Sequence, residues 1–328
     1  MPAPERIAIV STSYPASADD PSGHFVATEA RDLARAGHVV TVFTGGVPAP
    51  GDAGNPRVVR VWDGGATGWP GLLTRLREHP TRSLGLVAWA LGVRRLLAQR
   101  GPFQRVIGHF LVPSGFPLLL SADLGGAELT LVAHGSDARL IARLPPAVGR
   151  GLVLELCEKA RVRCVSHELV RVLEGVARQP LGGRLFVAAA PIDASSAPTR
   201  SAARARLGVP DGTRLIVIVS RLIASKRIDE ALRAGALLSR AALVVVGDGP
   251  ELERLRNAYP EVRFIGRVAR EQALTWISAA DAVLSASRLE GAPSALREAR
   301  ALDVPVVASA AGDLAEWAAN DPELWVVT

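Results

Sequence analysis

Short apolar runs rich in Val and Ile alternate with helical patterns along nearly the whole chain. The strands predicted from these runs are 7–10, 39–43, 57–61, 105–108, 130–133, 162–165, 185–188, 215–219, 243–246, 262–265, 282–284, 305–308 and 324–327. The clearest predicted helices are 25–35, 84–98, 228–238, 251–257, 270–280 and 294–302. Strands that alternate with helices in this way predict parallel, doubly wound sheets of the α/β class.

The alternation is interrupted once, between Pro191 and Thr213. This segment is rich in Pro, Ser, Gly and Ala, a composition typical of an interdomain linker. A chain of 328 residues is long enough for two domains. We therefore predict an N-terminal domain over residues 1–190, a linker over 191–213 and a C-terminal domain over 214–328.

The composition limits the classes of molecule that this protein is expected to bind. The chain carries a formal net charge of +6, yet only Lys159 and Lys226 are lysines, so arginine supplies nearly all the positive charge. The arginines are scattered rather than clustered, and aromatic residues make up only 5% of the chain. We interpret the charge as a compositional preference for arginine that is compatible with anionic ligands. We expect no nucleic acid as a partner.

Other features of the sequence favour a cytoplasmic protein. Cys157 and Cys164 belong to no metal-ligand pattern, and the N-terminus shows no signal peptide. The apolar run 84–93 is too short to span a bilayer. Arginines flank the predicted helix 84–98, which leaves a peripheral membrane contact open; an ordinary amphipathic helix of the domain is the preferred interpretation.

Polar side chains follow the strands of the C-terminal half, where each strand ends. Ligands of open α/β sheets bind at this edge, beyond the carboxyl ends of the strands. Arg221 and Lys226, five residues apart, would neutralise a diphosphate there; the alternative is two solvated charges. The residues that follow the four strands are Arg221 and Lys226, then Gly247, then Gly266 and Arg267, then Glu290 and Gly291.

Two carboxylates in this half are eight residues apart. Glu290 lies in a loop, and Glu298 lies about two turns into a helix that Pro293 can start. Such carboxylates can accept hydrogen bonds from sugar hydroxyls, and the start of the helix suits a phosphate. A surface helix also carries glutamates at many spacings, so this motif alone does not decide between the two interpretations.

The N-terminal half has a similar polar edge. Gly23 precedes the helix 25–35, His109 follows the strand 105–108, and His134 and Asp137 follow the strand 130–133. We interpret His134 as a ligand contact; the alternative is a histidine buried in the core. Gly23 could place backbone N–H groups against an anion; the alternative is that it only starts the helix. Two such edges on either side of a linker predict a ligand cleft between the domains.

Several known motifs are missing from the sequence. No Asp-x-Asp occurs, so a metal held on a nucleotide by that device is not indicated. No phosphate loop, no Gly-x-Gly-x-x-Gly after a strand and no Gly-x-Ser-x-Gly elbow is present, which disfavours P-loop enzymes, nicotinamide dehydrogenases and α/β-hydrolases. We therefore expect neither a metal nor a cofactor.

Taken in order, the motifs resemble those of retaining glycosyltransferases of the GT-B fold, in glycosyltransferase family 4. The resemblance covers nearly the whole chain, and the Glu-x7-Glu element is its most specific part. It implies two Rossmann-like domains around a cleft, the N-terminal one on the acceptor side and the C-terminal one binding a nucleotide-sugar. The matching segments are Gly23-His-Phe-Val26, Gly37-His38-x-Val40, His109, His134-Gly-Ser-Asp137, Ser220-Arg221-Leu222 with Lys226, Val246-Gly-Asp-Gly-Pro-Glu251, Phe264-Ile-Gly266, Glu290 to Ala299, Val304-Pro-Val-Val-Ala308 and Ala311-Gly312 with Glu316.

The resemblance also implies roles for individual residues. Arg221 and Lys226 would hold the donor diphosphate and stabilise the leaving phosphate. Glu298 would accept hydrogen bonds from the ribose, and Glu290 would orient the donor sugar. His134 would face the reacting sugar. The remaining donor contacts would be Gly23 beside the phosphate or acceptor, Gly247, Gly266 and Arg267 near the base, and Gly291, Ala292 and Ser294 beside the sugar.

The function expected from the resemblance is metal-independent transfer of a sugar to a sugar, lipid-linked or small-molecule acceptor. Two alternatives stay open at this point: a non-catalytic nucleotide-sugar-binding protein of the same fold, and a nucleotide-sugar epimerase. The sequence departs from the family pattern at Ser22, where a second glycine is usual. Because family members usually continue through further helices, we also expect the C-terminal domain to be truncated at Thr328.

Overall fold

The structure is a computed structural model that describes residues 3–17, 20–47, 54–69, 71–119, 126–238 and 241–327. The terminal residues of the two predicted domains, Met1 and Thr328, lie outside the described residues. The chain divides into two compact units. One contains Met1–Ala16 and Ser22–Pro191, and the other contains Ser17–Pro21 and Ile192–Thr328.

The N-terminal unit is built on a seven-stranded parallel sheet in the described residues, with the order β3-β2-β1-β4-β5-β6-β7. Its strands are β1 (Arg6–Ser11), β2 (Val39–Gly45), β3 (Arg57–Val61), β4 (Arg105–His109), β5 (Glu128–Ala133), β6 (Arg161–Cys164) and β7 (Leu185–Val187). Its helices are α1 (His24–Arg35), α2 (Leu72–Glu78), α3 (Ser83–Arg100), α4 (Gly115–Leu119), α5 (Ser136–Ile141), α6 (Pro146–Lys159) and α7 (His167–Ala177). Two 3₁₀ turns cover Pro80–Arg82 and Gly182–Arg184.

The C-terminal unit has a six-stranded parallel sheet in the described residues, with the order β10-β9-β8-β11-β12-β13. Its strands are β8 (Arg214–Val219), β9 (Ala241–Val246), β10 (Arg263–Gly266), β11 (Ala282–Ser285), β12 (Val306–Ser309) and β13 (Leu324–Val327). Its helices are α8 (Arg200–Leu207), α9 (Ile228–Ala236), α10 (Leu252–Ala258), α11 (Arg270–Ala279), α12 (Ser294–Ala301) and α13 (Leu314–Ala318), with a 3₁₀ turn at Ala224–Lys226.

The central strand β8 shows why this sheet forms. Leu215 and Val217 belong to one buried cluster, and Ile216 and Ile218 belong to another. Successive side chains of a strand point to opposite faces, so both faces of the sheet are covered by apolar side chains. A continuous apolar run is the sequence pattern that such a doubly covered parallel strand requires.

All the strands predicted from the sequence are present among the described residues, with ends displaced by two residues or fewer. Within residues 191–213 the structure places the helix α8, although this segment was predicted to be a linker. The Thr199 side chain accepts a hydrogen bond from Ala202 N at 3.4 Å, and Gly208 ends the helix with φ +64°. The helix was missed because a segment rich in serine and proline is typical of a loop, although both ends of this short helix are capped.

The helix α3 spans 18 residues and contains the apolar run noted above. Among the described residues no helix is both long enough and apolar enough to cross a membrane.

Candidate functional site

The C-terminal edge of the sheet in the C-terminal unit brings together residues that are distant in sequence. The loop after β8 ends in the 3₁₀ turn Ala224–Lys226, and the loop after the neighbouring strand β11 carries Glu290. Lys226 Nζ lies 2.6 Å from Glu290 Oε1, and the two side chains are only 17% and 10% exposed. The structure therefore places the predicted cation and carboxylate in direct contact.

Main-chain hydrogen bonds connect the loops that carry this pair. Arg288 N donates to Ser225 O at 3.0 Å, which joins the loop after β11 to the loop after β8. Leu222 N donates to Asp248 O at 2.9 Å, which joins the loop after β8 to the loop after β9. Because each loop is held by its neighbour, the positions of the polar side chains are set by the sheet order.

Gly247 is required where these loops approach each other. Its φ is +144°, and a Cβ at this position would lie 1.8 Å from Ser220 O. Gly247 N also donates to Gly266 O at 2.9 Å. No residue with a side chain fits this close backbone approach, so Gly247 acts by shaping the loop.

Arg221 belongs to the same loop as Lys226. Desolvation by the surrounding protein lowers the pKa of Arg221 from its usual value, and the negative charge of Glu290 opposes that shift. An arginine stays charged at every physiological pH, so Arg221 adds positive charge close to Glu290.

Glu298 is the second predicted carboxylate, and it is buried on α12. Arg270 at the start of α11 donates through Nη2 to Glu298 Oε1 at 2.8 Å and to the Asp193 carbonyl oxygen at 2.5 Å. Sequence reasoning missed Arg270. Its only signal was its position at the first residue of the predicted helix 270–280, where a positive charge is not favoured by the helix dipole.

The other predicted donor contacts lie along the same edge. Gly291 and Ala292 lie between β11 and α12, Pro293 immediately precedes the helix, and Ser294 is its first residue. Gly266 is the last residue of β10, and the exposed Arg267 follows it. The structure gives their positions, and their contacts with a donor stay predictions.

The N-terminal unit contains a second polar cluster, formed around two histidines. His109 is the last residue of β4, and His134 directly follows the neighbouring strand β5. His109 Nδ1 and His134 Nε2 are 3.0 Å apart, and the two rings stack with an interplanar angle of 19°. Sequence reasoning treated the two histidines separately, whereas the structure makes them a hydrogen-bonded pair.

Burial keeps both histidines neutral. Desolvation, reinforced by the charge of Arg163, lowers the pKa of His109 well below its usual value. Desolvation also lowers the pKa of His134, with contributions from His109 and Arg163 that the charge of Glu29 partly opposes. At neutral pH each ring therefore carries one proton.

A buried ion pair lies beside the histidines. Arg163 Nη2 on β6 is 2.6 Å from Glu29 Oε2 on α1, and the same oxygen is 3.8 Å from His109 Nε2. Nothing in the sequence pattern indicated these two residues, since an acidic residue in a helix and an arginine in a strand are common on protein surfaces.

The backbone at His134 is held by a buried carboxylate. Asp137 Oδ1 accepts hydrogen bonds from His134 N at 3.1 Å and Gly135 N at 2.9 Å, and Oδ2 accepts one from Leu111 N at 2.7 Å. Burial raises the pKa of Asp137, and these N–H donors oppose the shift. Asp137 thus fixes the loop in which His134 lies.

Aromatic rings enclose His134 from two sides. The rings of Phe25 and Phe110 lie 4.7 Å and 4.6 Å from the His134 ring, measured between centroids. Phe110 has φ +72°, a conformation that costs a bulky residue on the order of 1 kcal/mol or more. The strained backbone places this ring against His134.

Gly23 immediately precedes α1 with φ +63°, and a Cβ there would lie 2.1 Å from Ser13 O. The close approach of the two segments explains this glycine without a ligand. Among the described residues no group of three or more His, Cys, Asp or Glu side chains is arranged to hold a metal ion.

Comparison with known proteins agrees with this architecture. Residues 199–327 match the family model "Glycosyl transferases group 1". The chain is 28% identical to the "Putative teichuronic acid biosynthesis glycosyltransferase TuaC" of Bacillus subtilis, over 94% of this chain and 81% of that protein.

Solved structures show the same fold. Sucrose-phosphate synthase from Thermosynechococcus elongatus superposes with a TM-score of 0.73 at 20% identity, covering 94% of this chain and 82% of that one. Anabaena HepE, in complex with UDP and glucose, gives a TM-score of 0.68 at 17% identity, covering 95% and 82%. The fold is GT-B. Together with the matched domain, the similarities support a glycosyltransferase.

Proposed function

We propose that this protein transfers a sugar from a nucleotide-sugar to an acceptor hydroxyl, with retention of configuration and without a metal. The observation that carries the proposal is the contact of Lys226 with Glu290, beside Arg221, at the ligand-binding edge of the C-terminal sheet. The matched glycosyltransferase domain covers all these residues, and HepE of the same fold binds UDP and glucose.

The cations act on the leaving group. When the bond between the sugar and the diphosphate breaks, negative charge grows on the departing phosphate oxygens. Arg221 and Lys226 stabilise that charge as it forms, which is the role a metal ion has in other phosphate sites. Lys226 is paired with Glu290 before the donor arrives, so its ammonium group is already positioned.

The carboxylates recognise the uncharged parts of the donor. Glu290 orients the donor sugar and stabilises positive charge on its ring. Glu298, held by Arg270, accepts hydrogen bonds from the ribose hydroxyls. In the N-terminal unit, the neutral His134 makes a hydrogen bond to a hydroxyl of the reacting sugar.

The test is a reaction with UDP-, GDP- and ADP-sugars and a mixed panel of sugar, lipid-linked and small-molecule acceptors. We expect nucleotide release that depends on an acceptor, is unaffected by a chelator and yields a product with the anomeric configuration of the donor. Acceptor-independent conversion of the donor would indicate an epimerase, and tight donor binding without turnover would indicate a binding protein. Either outcome would contradict the proposal.

A further inference from the structure

We propose that Arg163, Glu29 and His109 form a buried relay that sets the tautomer of His134, so that His134 Nδ1 carries a lone pair and accepts a hydrogen bond from a sugar hydroxyl. The contact with the sugar rests on the proposed function, whereas the tautomer is a property of the protein alone.

The relay begins at the ion pair. The sheet register aligns His109 with Val132 and Val132 with Arg163, so His109 and Arg163 point to the same face, two strands apart. The helix α1 supplies Glu29 on that face, 2.6 Å from Arg163 and 3.8 Å from His109 Nε2. Arg163 gives the Glu29 carboxylate an ion-pair partner, since an unpaired carboxylate there would be costly.

The carboxylate selects the proton position on His109. His109 is fully buried, and its Nε2 atom has no hydrogen-bond partner among the described residues. A lone pair on Nε2 would face the negative Glu29 oxygen, whereas an N–H dipole is attracted to it. The neutral His109 therefore carries its proton on Nε2 and presents a lone pair at Nδ1.

The tautomer of His109 decides that of His134. Because His109 Nδ1 is an acceptor, the 3.0 Å contact requires His134 Nε2 to be the donor. A neutral His134 with its proton on Nε2 has a lone pair on Nδ1. His109, Glu29 and Arg163 are thus positioning residues: they determine what His134 offers to a ligand.

The opposite tautomer would have a different chemistry. With the proton on Nδ1, His134 would donate to an acceptor atom and would attract phosphate oxygens. With the lone pair on Nδ1, it orients a hydroxyl proton and repels an anion. The relay accordingly favours a sugar hydroxyl over a phosphate as the partner of His134.

The tautomers are read directly by nuclear magnetic resonance of protein labelled with ¹⁵N-histidine, without any ligand. The six histidines give a tractable spectrum, assigned with His109→Asn and His134→Asn variants. We expect both rings in the wild-type protein at neutral pH to carry their proton on Nε2. A proton on Nδ1 of either ring would overturn the proposal, whether or not the protein is active.

Two variants test the consequence for the reaction. His109→Leu removes the acceptor for His134 Nε2–H, so we expect kcat to fall about 10-fold while KM for the nucleotide-sugar stays within about 2-fold. His109→Asn keeps an oxygen near the position of Nδ1, and we expect it to restore most of kcat. Thermal unfolding of both variants checks that each is folded.

The outcomes separate the two proposals. Unchanged kcat in His109→Leu, or equal losses in both variants, would overturn the positioning role. No transfer by the wild-type protein would contradict the proposed function, and the wild-type spectrum would still decide the tautomer.

Discussion

The two polar clusters differ in their balance of positive and negative charges. In the C-terminal unit, Arg221, Lys226 and Arg270 face Glu290 and Glu298, and Arg297 also interacts with Glu298, so the cations outnumber the carboxylates. In the N-terminal unit, Arg163 and Glu29 cancel, and the two histidines stay neutral. The same sheet architecture thus provides an edge with excess positive charge in one unit and an edge without excess positive charge in the other, where Asp137 is a further acidic group.

The two clusters suit different chemical groups. A diphosphate is anionic and needs compensating charge, while a sugar offers only hydroxyl groups and needs oriented neutral partners. Disrupting the first cluster is therefore expected to affect binding of the charged part and departure of the leaving group. Disrupting the second is expected to affect orientation.

The largest expected effect follows loss of a cation. Lys226→Ala or Arg221→Ala removes a group that stabilises the leaving phosphate, so we expect kcat to fall roughly 100- to 1,000-fold in steady-state assays of nucleotide release. The matched control is Arg227→Ala, because Arg227 is exposed, directly follows Lys226 and pairs with Glu230 on the surface. If kcat falls as much in Arg227→Ala as in Lys226→Ala, the effect would come from the total positive charge of the region and not from the position of Lys226.

The next effect follows loss of the negative charge at Glu290. Glu290→Gln keeps the shape and a hydrogen-bonding oxygen but weakens the contact with Lys226 and the stabilisation of the sugar. We expect kcat to fall about 10- to 100-fold, the range for a lost hydrogen bond between charged groups. Full activity of Glu290→Gln would show that the reaction does not need the negative charge of Glu290.

A smaller effect is expected at Arg270, which holds Glu298. Arg270→Met leaves a buried carboxylate without this partner, so we expect KM for the nucleotide-sugar to rise about 10-fold and the free energy of unfolding to fall by about 1–3 kcal/mol. Arg256→Met is the control, since the pair of Arg256 with Glu253 is exposed and its loss is expected to cost less than about 0.5 kcal/mol. Similar changes in both variants would contradict the special role of Arg270.

The smallest effect is a pH dependence of stability to which the N-terminal cluster contributes. The pKa values of His109 and His134 are lowered, so below about pH 6.5 the unfolded chain binds more protons at these sites than the folded protein. Stability is therefore expected to fall as the pH drops below that value. We expect kcat to stay unchanged over the same range, because His134 stays neutral. Melting temperatures and kcat measured at a series of pH values check this.

The variant His109→Leu is the internal control for that prediction. Removing one of the two buried histidines should reduce the dependence of the melting temperature on pH in the acidic range. An unchanged slope would mean that other groups carry the dependence, such as Asp229, Asp281 and Asp321, whose lowered pKa values have the same sign of effect on stability.

The fold could be predicted because each strand is indicated by its own short stretch of sequence. Strands covered on both faces, such as β8, need uninterrupted apolar runs, and these are visible in the sequence. The helix α8 was not visible, since it lies in a segment rich in Pro, Ser and Ala and is short. Its capping residues, Thr199 and Gly208, were the available signal.

The site was predictable only in part. Lys226 and Glu290 follow adjacent strands of the sheet, and the rule for open α/β sheets brings such residues together. The contacts of Arg270 with Glu298 and of Glu29 with Arg163 depend on where helices lie over the sheet, which periodicity does not give. The pairing of His109 with His134 was not predicted, because it required knowing that β4 and β5 are neighbours in the sheet.

The most direct test of the central claim is calorimetric titration of UDP, GDP and ADP into the wild-type protein and the variants Lys226→Ala and Arg227→Ala at two salt concentrations. The account predicts that one nucleoside diphosphate binds the wild-type protein, with an affinity that decreases as salt increases. Lys226→Ala should bind it at least about 10-fold more weakly, and Arg227→Ala as well as the wild type. Equal affinity of Lys226→Ala and the wild-type protein, or no binding by the wild-type protein, would contradict it.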